Sequence, residues 1–123
     1  MAKILIIEDD EFLRNLLAKK LSEDKHEVEQ ADTGESGVKM IPDSKPELIL
    51  LDLLLPGMHG FDVLSWVRGQ IGEISETPVI ILSNLGSEED INKGHNLGAN
   101  DFLVKAKCTP TEVTEKIRKF TQG

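Results

Sequence analysis

The chain has 123 residues, which suits one compact domain with a single hydrophobic core. Its composition, 39% hydrophobic and 29% charged, is typical of a soluble globular protein, and its net charge of −8 argues against binding to nucleic-acid phosphates. The single cysteine, Cys108, excludes an intrachain disulfide, and the sequence contains neither a signal peptide nor a membrane-spanning run. We therefore expect a cytoplasmic protein.

The first half of the sequence alternates short apolar runs with helical patterns. Its predicted elements are, in chain order, a strand at 3–7, a helix ending near residue 22, a strand at 26–31, a helix at 34–41 and a strand at 48–51. Leucines at three- and four-residue spacing, from Leu13 to Leu21, mark the first helix. Pro42 is expected to end the second helix, because proline lacks the backbone N–H that the next turn needs.

The second half continues the alternation. It predicts, in chain order, a helix with the apolar stripe Phe61, Leu64, Val67 and Ile71, a strand at 78–82, a helix from about residue 87, a strand at 101–104 and a helix from residue 109. Ser87 is expected to cap the fourth helix, and Gly98 to follow its end. Thr109 and Glu112 form a capping box at the start of the last helix. The predicted apolar face of that helix consists of Val113, Ile117 and Phe120.

Strands that alternate with helices predict a parallel sheet covered by helices on both faces. The continuous apolar runs at 4–7, 48–51 and 79–82 fit central strands that are buried on both sides. The expected fold class is therefore α/β, with five βα units in a doubly wound sheet. No linker or repeat divides the chain, and the last helix ends near its final residue, so we expect one domain over residues 1–123 without an output domain.

Polar side chains follow four of the five predicted strands at the point where each strand ends. They are Glu8, Asp9 and Asp10 after the first strand, Asp52 after the third, Ser83 after the fourth and Lys105 after the fifth. Because the carboxyl ends of parallel strands meet at one edge of the sheet, these side chains are expected to lie together. Each also has a purely structural explanation, as a first-turn acid, a loop hydroxyl or a solvated lysine. Asp52 is the least easily explained, because it is the only charge in the apolar run 48–55.

This group of side chains indicates hard-cation binding and phosphoryl chemistry. Clustered carboxylates are typical ligands of Mg²⁺, and an aspartate among them is a candidate nucleophile toward phosphorus. A lysine and a hydroxyl nearby could bind the phosphoryl oxygens. The sequence has no glycine-rich nucleotide motif, and its three histidines lack metal-ligand spacing.

Four segments together resemble the receiver domain of two-component response regulators. They are ILIIEDDEFLRNLL, PELILLDLLLPGMHGFDVL, TPVIILSN and LGANDFLVKA, and the resemblance runs over essentially the whole chain. It implies a flavodoxin-like sheet with strand order 2-1-3-4-5. It also implies a switch protein related to single-domain chemotaxis regulators, which catalyses only its own phosphorylation and dephosphorylation.

The resemblance also implies roles for individual residues. Asp52 is expected to accept a phosphoryl group from a histidine kinase or a histidine phosphotransfer protein. Glu8 and Asp9 are expected to hold Mg²⁺ with Asp52 and the backbone carbonyl of Leu54. The remaining expected roles are those of Ser83 as switch hydroxyl, Lys105 as the cation that contacts the phosphoryl group and Phe102 as switch aromatic.

Three positions depart from the family pattern. Ala106 replaces the usual proline after the lysine, so a trans peptide bond or a reshaped loop is expected there. Asn84 stands where the family often has a small residue and is expected to narrow the access to Asp52. Leu54 and Leu85 are expected to flank the site with apolar groups and to slow hydrolysis of a phosphoryl group.

The leading functional hypothesis is a phosphorylation-dependent signalling switch. The expected output is protein–protein contact through the face made by the fourth helix, fifth strand and fifth helix, roughly residues 87–123, in a monomer or a phosphorylation-dependent dimer. A pseudo-receiver that is never phosphorylated is the main alternative. An aspartyl phosphatase is disfavoured, because Leu54 stands where such enzymes need a second acid.

Overall fold

A computed structural model describes residues 2–121 of the chain. Five parallel strands form one sheet in the order β2-β1-β3-β4-β5. The strands are β1 (Lys3–Ile7), β2 (Glu27–Ala31), β3 (Leu48–Leu51), β4 (Val79–Ser83) and β5 (Asp101–Val104). The doubly wound fold and the strand order that were predicted from the sequence are confirmed.

Five α-helices and two short 3₁₀ helices connect the strands. The α-helices are α1 (Glu11–Glu23), α2 (Gly34–Ser44), α3 (Gly60–Arg68), α4 (Glu88–Asn96) and α5 (Pro110–Thr121), and the 3₁₀ helices are Gly72–Glu76 and Lys105–Lys107. No helix within residues 2–121 combines the length and the apolar character needed to cross a membrane.

Two hydrophobic clusters lie on opposite faces of the sheet. One joins alternate side chains of β1 and β3 to α2 and α3, and the other joins the intervening side chains to α1 and α5. All four residues of β3 are buried, as are all five of β4, because helices cover both faces of these central strands. The core therefore holds the carboxyl ends of β1, β3 and β4 at fixed positions.

The predicted helix caps are present. Ser87 Oγ accepts the N–H of Asp90, and Gly98 follows α4 with a φ of +104°, a conformation that favours glycine. The capping box of α5 is complete, since Thr109 and Glu112 each accept the other's backbone N–H.

Three predictions about helix boundaries and faces are wrong. α2 continues past Pro42 to Ser44, because proline removes only its own donor and the N–H of Lys45 still closes the last turn on the Ile41 carbonyl at 2.8 Å. α3 ends at Arg68, so Ile71 leaves the apolar stripe and is 98% exposed. Phe120, which was predicted to lie on the apolar face of α5, is 39% exposed, whereas Val113 and Ile117 on the same predicted face are buried.

Candidate functional site

The register of the sheet brings the predicted polar residues to one edge. Ile7 pairs with Leu51, so Glu8 and Asp52 follow paired positions at the ends of neighbouring strands. Both carboxyl groups are buried, at 3% and 5% exposure, whereas Asp9 is exposed. Burial of two acids side by side requires compensation, because an ionised carboxylate loses the solvation that it has in water.

Lys105 provides that compensation. Its ammonium lies 2.7 Å from Glu8 Oε1 and 3.0 Å from Asp52 Oδ2, and the lysine side chain is only 15% exposed. Strand order places β4 between β5 and β3, so this side chain crosses the end of β4 to reach both acids. The three charges form one buried cluster.

Backbone donors fix the oxygens that face away from the lysine. Asp52 Oδ1 accepts the N–H of Leu53 at 2.7 Å, and Glu8 Oε2 accepts the N–H of Asp10 at 3.1 Å. Asp10 itself caps α1 by accepting the N–H of Leu13, so the structural explanation holds for this acid. The carboxylates of Glu8 and Asp52 are therefore each held from two sides.

The environment of the cluster shifts two pKa values. Burial raises the pKa of Glu8 from 4.5 to about 7, although the hydrogen bond from Lys105 acts in the opposite direction. For Lys105, burial lowers the pKa, but the hydrogen bonds to Glu8 and Asp52 outweigh it and the net shift is upward. Lys105 therefore remains charged, and Glu8 is the group in this pair that exchanges protons near neutral pH.

The acids can hold a cation. One carboxylate oxygen from each of Glu8, Asp9 and Asp52 lies within 4.8 Å of the other two. Three carboxylate ligands at one edge of the sheet suit a hard divalent cation such as Mg²⁺, which prefers oxygen ligands. The donor set at this edge therefore fits the expected metal.

Ser83 and Phe102 lie on the last two strands, Ser83 at the end of β4 and Phe102 within β5. Ser83 is fully buried, and its Oγ accepts the N–H of Leu85 at 3.2 Å. Phe102 is 8% exposed and packs under α4, where a Cβ at Gly94 would lie 3.0 Å from its ring. A larger side chain at Gly94 would displace the ring, so helix and ring are in direct contact.

The loop after Lys105 has the expected reshaped form. Residues 105–107 form a 3₁₀ turn, and no cis peptide bond occurs within residues 2–121. Leu54 is 51% exposed and Leu85 is half-buried in contact with the core, so only the first is freely presented to solvent. Asn84 is exposed.

Sequence patterns did not indicate three residues that shape this edge. Arg14 donates to the Glu8 carbonyl at 2.9 Å, and Glu35 accepts the N–H of Met58 at 3.2 Å in the loop after β3. Gly60 lets α3 approach the backbone just after β3 closely, since a Cβ there would lie 2.6 Å from the Leu53 Cα. No signal in the sequence could have found these contacts, because they depend on residues that only the fold brings together.

The histidines play no part in the cluster. His59 caps α3, with its Nδ1 accepting the N–H of Phe61 at 3.0 Å, and His26 Nδ1 accepts the N–H of Ala2 at 3.1 Å. The sequence had predicted solvated or loop positions for the three histidines.

Comparison with known proteins supports a signalling role for this fold. Residues 4–118 match the family model of the response regulator receiver domain. The chain is 36% identical over 105 residues to the transcriptional regulatory protein AfsQ1 of Streptomyces coelicolor, a match covering 85% of the chain and 45% of AfsQ1. It is 32% identical over 116 residues to ResD of Bacillus subtilis, covering 94% of the chain and 46% of ResD. The chain thus spans about half the length of these relatives.

Solved structures agree with this result. The BeF3-activated N-terminal receiver domain of Klebsiella pneumoniae RstA superposes with a TM-score of 0.87 at 28% identity, covering 98% of this chain and 99% of that one. The chemotaxis protein CheY4 of Vibrio cholerae gives a TM-score of 0.88 at 27% identity, covering 98% of each chain. The chain therefore belongs to the family of response regulator receiver domains of two-component systems.

Proposed function

We propose that Asp52 accepts a phosphoryl group from a phosphohistidine of a histidine kinase or a phosphotransfer protein, and that the modified domain signals through protein contacts. The observation that carries this proposal is the buried cluster in which the Lys105 ammonium bridges Glu8 and Asp52 at 2.7 and 3.0 Å. Such a cluster is costly for stability and is typical of a reactive site.

The proposed reaction is a transfer between two nucleophiles. Asp52 Oδ2 attacks phosphorus, an O–P bond forms as the N–P bond of the phosphohistidine breaks, and the released imidazole takes up a proton from solvent. The bond from the Leu53 N–H holds Oδ1, which leaves Oδ2 on the side of the lysine and the acids. Lys105 then pairs with the phosphoryl oxygens, where the negative charge increases.

Glu8, Asp9, Asp52 and the backbone carbonyl of Leu54 are the proposed ligands of Mg²⁺. The metal, when bound, supplies positive charge for the phosphoryl oxygens. The clustering of the three carboxylate oxygens supports this assignment.

The proposed switch passes through Ser83 and Phe102. The Ser83 hydroxyl, which accepts a backbone N–H, can donate its own proton to a phosphoryl oxygen and so shift toward Asp52. Phe102 is the proposed switch aromatic because it supports α4 directly through Gly94, the only buried residue of that helix. A change in its rotamer would alter the face formed by α4, β5 and α5, which is the proposed output surface.

The test is phosphorylation by a small-molecule donor. We expect incubation with phosphoramidate and Mg²⁺ to add the mass of one phosphoryl group, located on Asp52 by peptide mapping. Asp52→Asn should abolish the addition, and Asp62→Asn, which changes an exposed carboxylate on α3, should not. An unmodified wild-type chain would favour the pseudo-receiver, and a modified Asp52→Asn variant would contradict the assignment of the acceptor.

A further inference from the structure

The edge of the sheet opposite the acidic cluster holds a cavity that the proposed function does not use. Its volume is about 470 Å³, and it lies where β3 and β4 begin. It is lined by Lys45, Pro46, Glu47, Ile71, Glu73, Ile74, Glu76, Thr77 and Pro78. We name this surface the amino-edge cavity.

The apolar part of the amino-edge cavity is unusual in its exposure. Ile71 is 98% exposed, more than any other large hydrophobic side chain within residues 2–121. It stands between the end of α3 and Gly72, whose φ of +85° turns the chain into the following 3₁₀ helix. Ile74 and two prolines continue the apolar surface into the cavity. An aliphatic group that binds here would therefore remove Ile71 from water.

Hydrogen bonds hold the backbone that forms the wall of the cavity. Arg68 donates to the carbonyls of Ser75 and Thr77 at 3.1 and 2.7 Å, and to the carbonyl of Gly98 at 3.0 and 2.8 Å. These bonds fix the 3₁₀ segment against the turn before β5. On the other side, the N–H of Glu47 donates to the Lys3 carbonyl at 2.7 Å. Because the backbone of this wall is already held in place, binding would have to order only the exposed side chains.

The polar rim selects the charge of the ligand. Glu47, Glu73 and Glu76 are exposed around the cavity, against the single positive charge of Lys45. Within the described part of the chain, neither Glu73 nor Glu76 has a cationic side chain within 4.0 Å. Their charges are therefore available to a basic ligand.

We propose that the amino-edge cavity docks a segment of a partner protein that carries an aliphatic side chain flanked by lysine or arginine. The aliphatic group packs on Ile71 and Ile74, and the basic groups face the glutamates. Because the cavity lies at the amino ends of the strands, this contact leaves the Asp52 edge free and does not depend on phosphorylation.

The test uses a short synthetic peptide of alternating leucine and lysine, titrated into the ¹⁵N-labelled chain. We expect amide shifts concentrated in residues 45–47 and 71–78. A peptide with alanine in place of leucine should bind about tenfold more weakly, and one with glutamate in place of lysine should produce no shifts there. Shifts spread over all acidic surfaces, or equal binding of the alanine peptide, would overturn the proposal, as would the absence of binding.

Matched variants separate the cavity from general attraction to an acidic protein. Ile71→Ser should weaken binding about fivefold, whereas Phe12→Ser, at a side chain 80% exposed elsewhere, should not. Glu73→Lys with Glu76→Lys should weaken binding more than the same change of charge on α4, made with Glu88→Lys and Glu89→Lys. Equal effects of the two charge pairs would also overturn the proposal. The spectrum of each variant reports whether it remains folded.

Discussion

Replacing Lys105 with methionine should destabilise the fold in a manner that depends on pH. The substitution preserves much of the side-chain volume but leaves Glu8 and Asp52 buried without their common cation. Removal of one partner of a buried ion pair costs about 3–5 kcal/mol. We expect this loss near pH 8, where Glu8, with a pKa of about 7, is ionised.

The loss should be smaller near pH 5.5. Glu8 is then protonated in the folded wild type, because its pKa is raised to about 7, so the substitution no longer leaves an ionised Glu8 without its cation. The remaining charge-assisted hydrogen bond contributes about 1.5–3 kcal/mol. The direction of this pH dependence follows from linkage between protonation and folding. A carboxyl group whose pKa is raised in the folded state contributes stability below pH 4.5, and this contribution is lost as the pH rises toward 7. In the variant Glu8 loses the hydrogen bond that lowers its pKa, so stability should fall more steeply with pH.

Urea unfolding followed by circular dichroism, in buffer containing a chelator, measures both losses. Lys116→Met is the matched control, because Lys116 lies 3.7 Å from Asp101 in a partly exposed pair that contributes at most about 1 kcal/mol. The reasoning is refuted if Lys105→Met loses the same free energy at both pH values, or if the control loses as much as the buried variant.

Three further predictions concern the same edge of the sheet. The affinity for Mg²⁺, measured by calorimetry, should rise about tenfold for each unit of pH increase up to pH 7 and then level off, because Glu8 must lose its proton to bind the metal. An affinity that does not change with pH would exclude Glu8 as a ligand. Gly60→Ala should lower the free energy of unfolding in urea by about 1–3 kcal/mol, since its Cβ would collide with the backbone of Leu53. The control Gly69→Ala, whose Cβ would have no atom closer than 3.3 Å, should stay within about 1 kcal/mol of wild type. Similar losses in the two variants would show that close backbone approach at Gly60 does not matter for stability. Polar substitution of Leu54 and Leu85 together should accelerate loss of the phosphoryl group in a mass-spectrometric time course, and an unchanged rate would show that neither residue impedes water.

The positions of the central strands were predictable because a strand that is buried on both faces has a short, continuous apolar run in its sequence, and few other kinds of local structure have one. The predicted strands at 3–7 and 48–51 coincide with β1 and β3. Helix ends were harder to predict, because local signals compete there. Pro42 predicts the end of a helix, but α2 continues for two more residues after it. The apolar periodicity that includes Ile71 continues past Arg68, where α3 ends.

The sequence predicted that Glu8, Asp52 and Lys105 would lie together, but not how they pair. Parallel topology alone placed Glu8, Asp52, Ser83 and Lys105 at one edge. The bond from Lys105 to Glu8, which is shorter than its bond to Asp52, depends on side-chain rotamers and on the turn at 105–107. Sequence spacing carries no information about either.

The path of Lys105 across the end of β4 has a mechanical consequence. β5 lies at the edge of the sheet and has one neighbouring strand, so the lysine acts as a tether from this outer strand to the middle of the sheet. A group that displaced the Lys105 ammonium from Glu8 and Asp52 would remove this link. The turn at 105–107, which leads from this lysine to the start of α5, would then lose its link to the middle of the sheet.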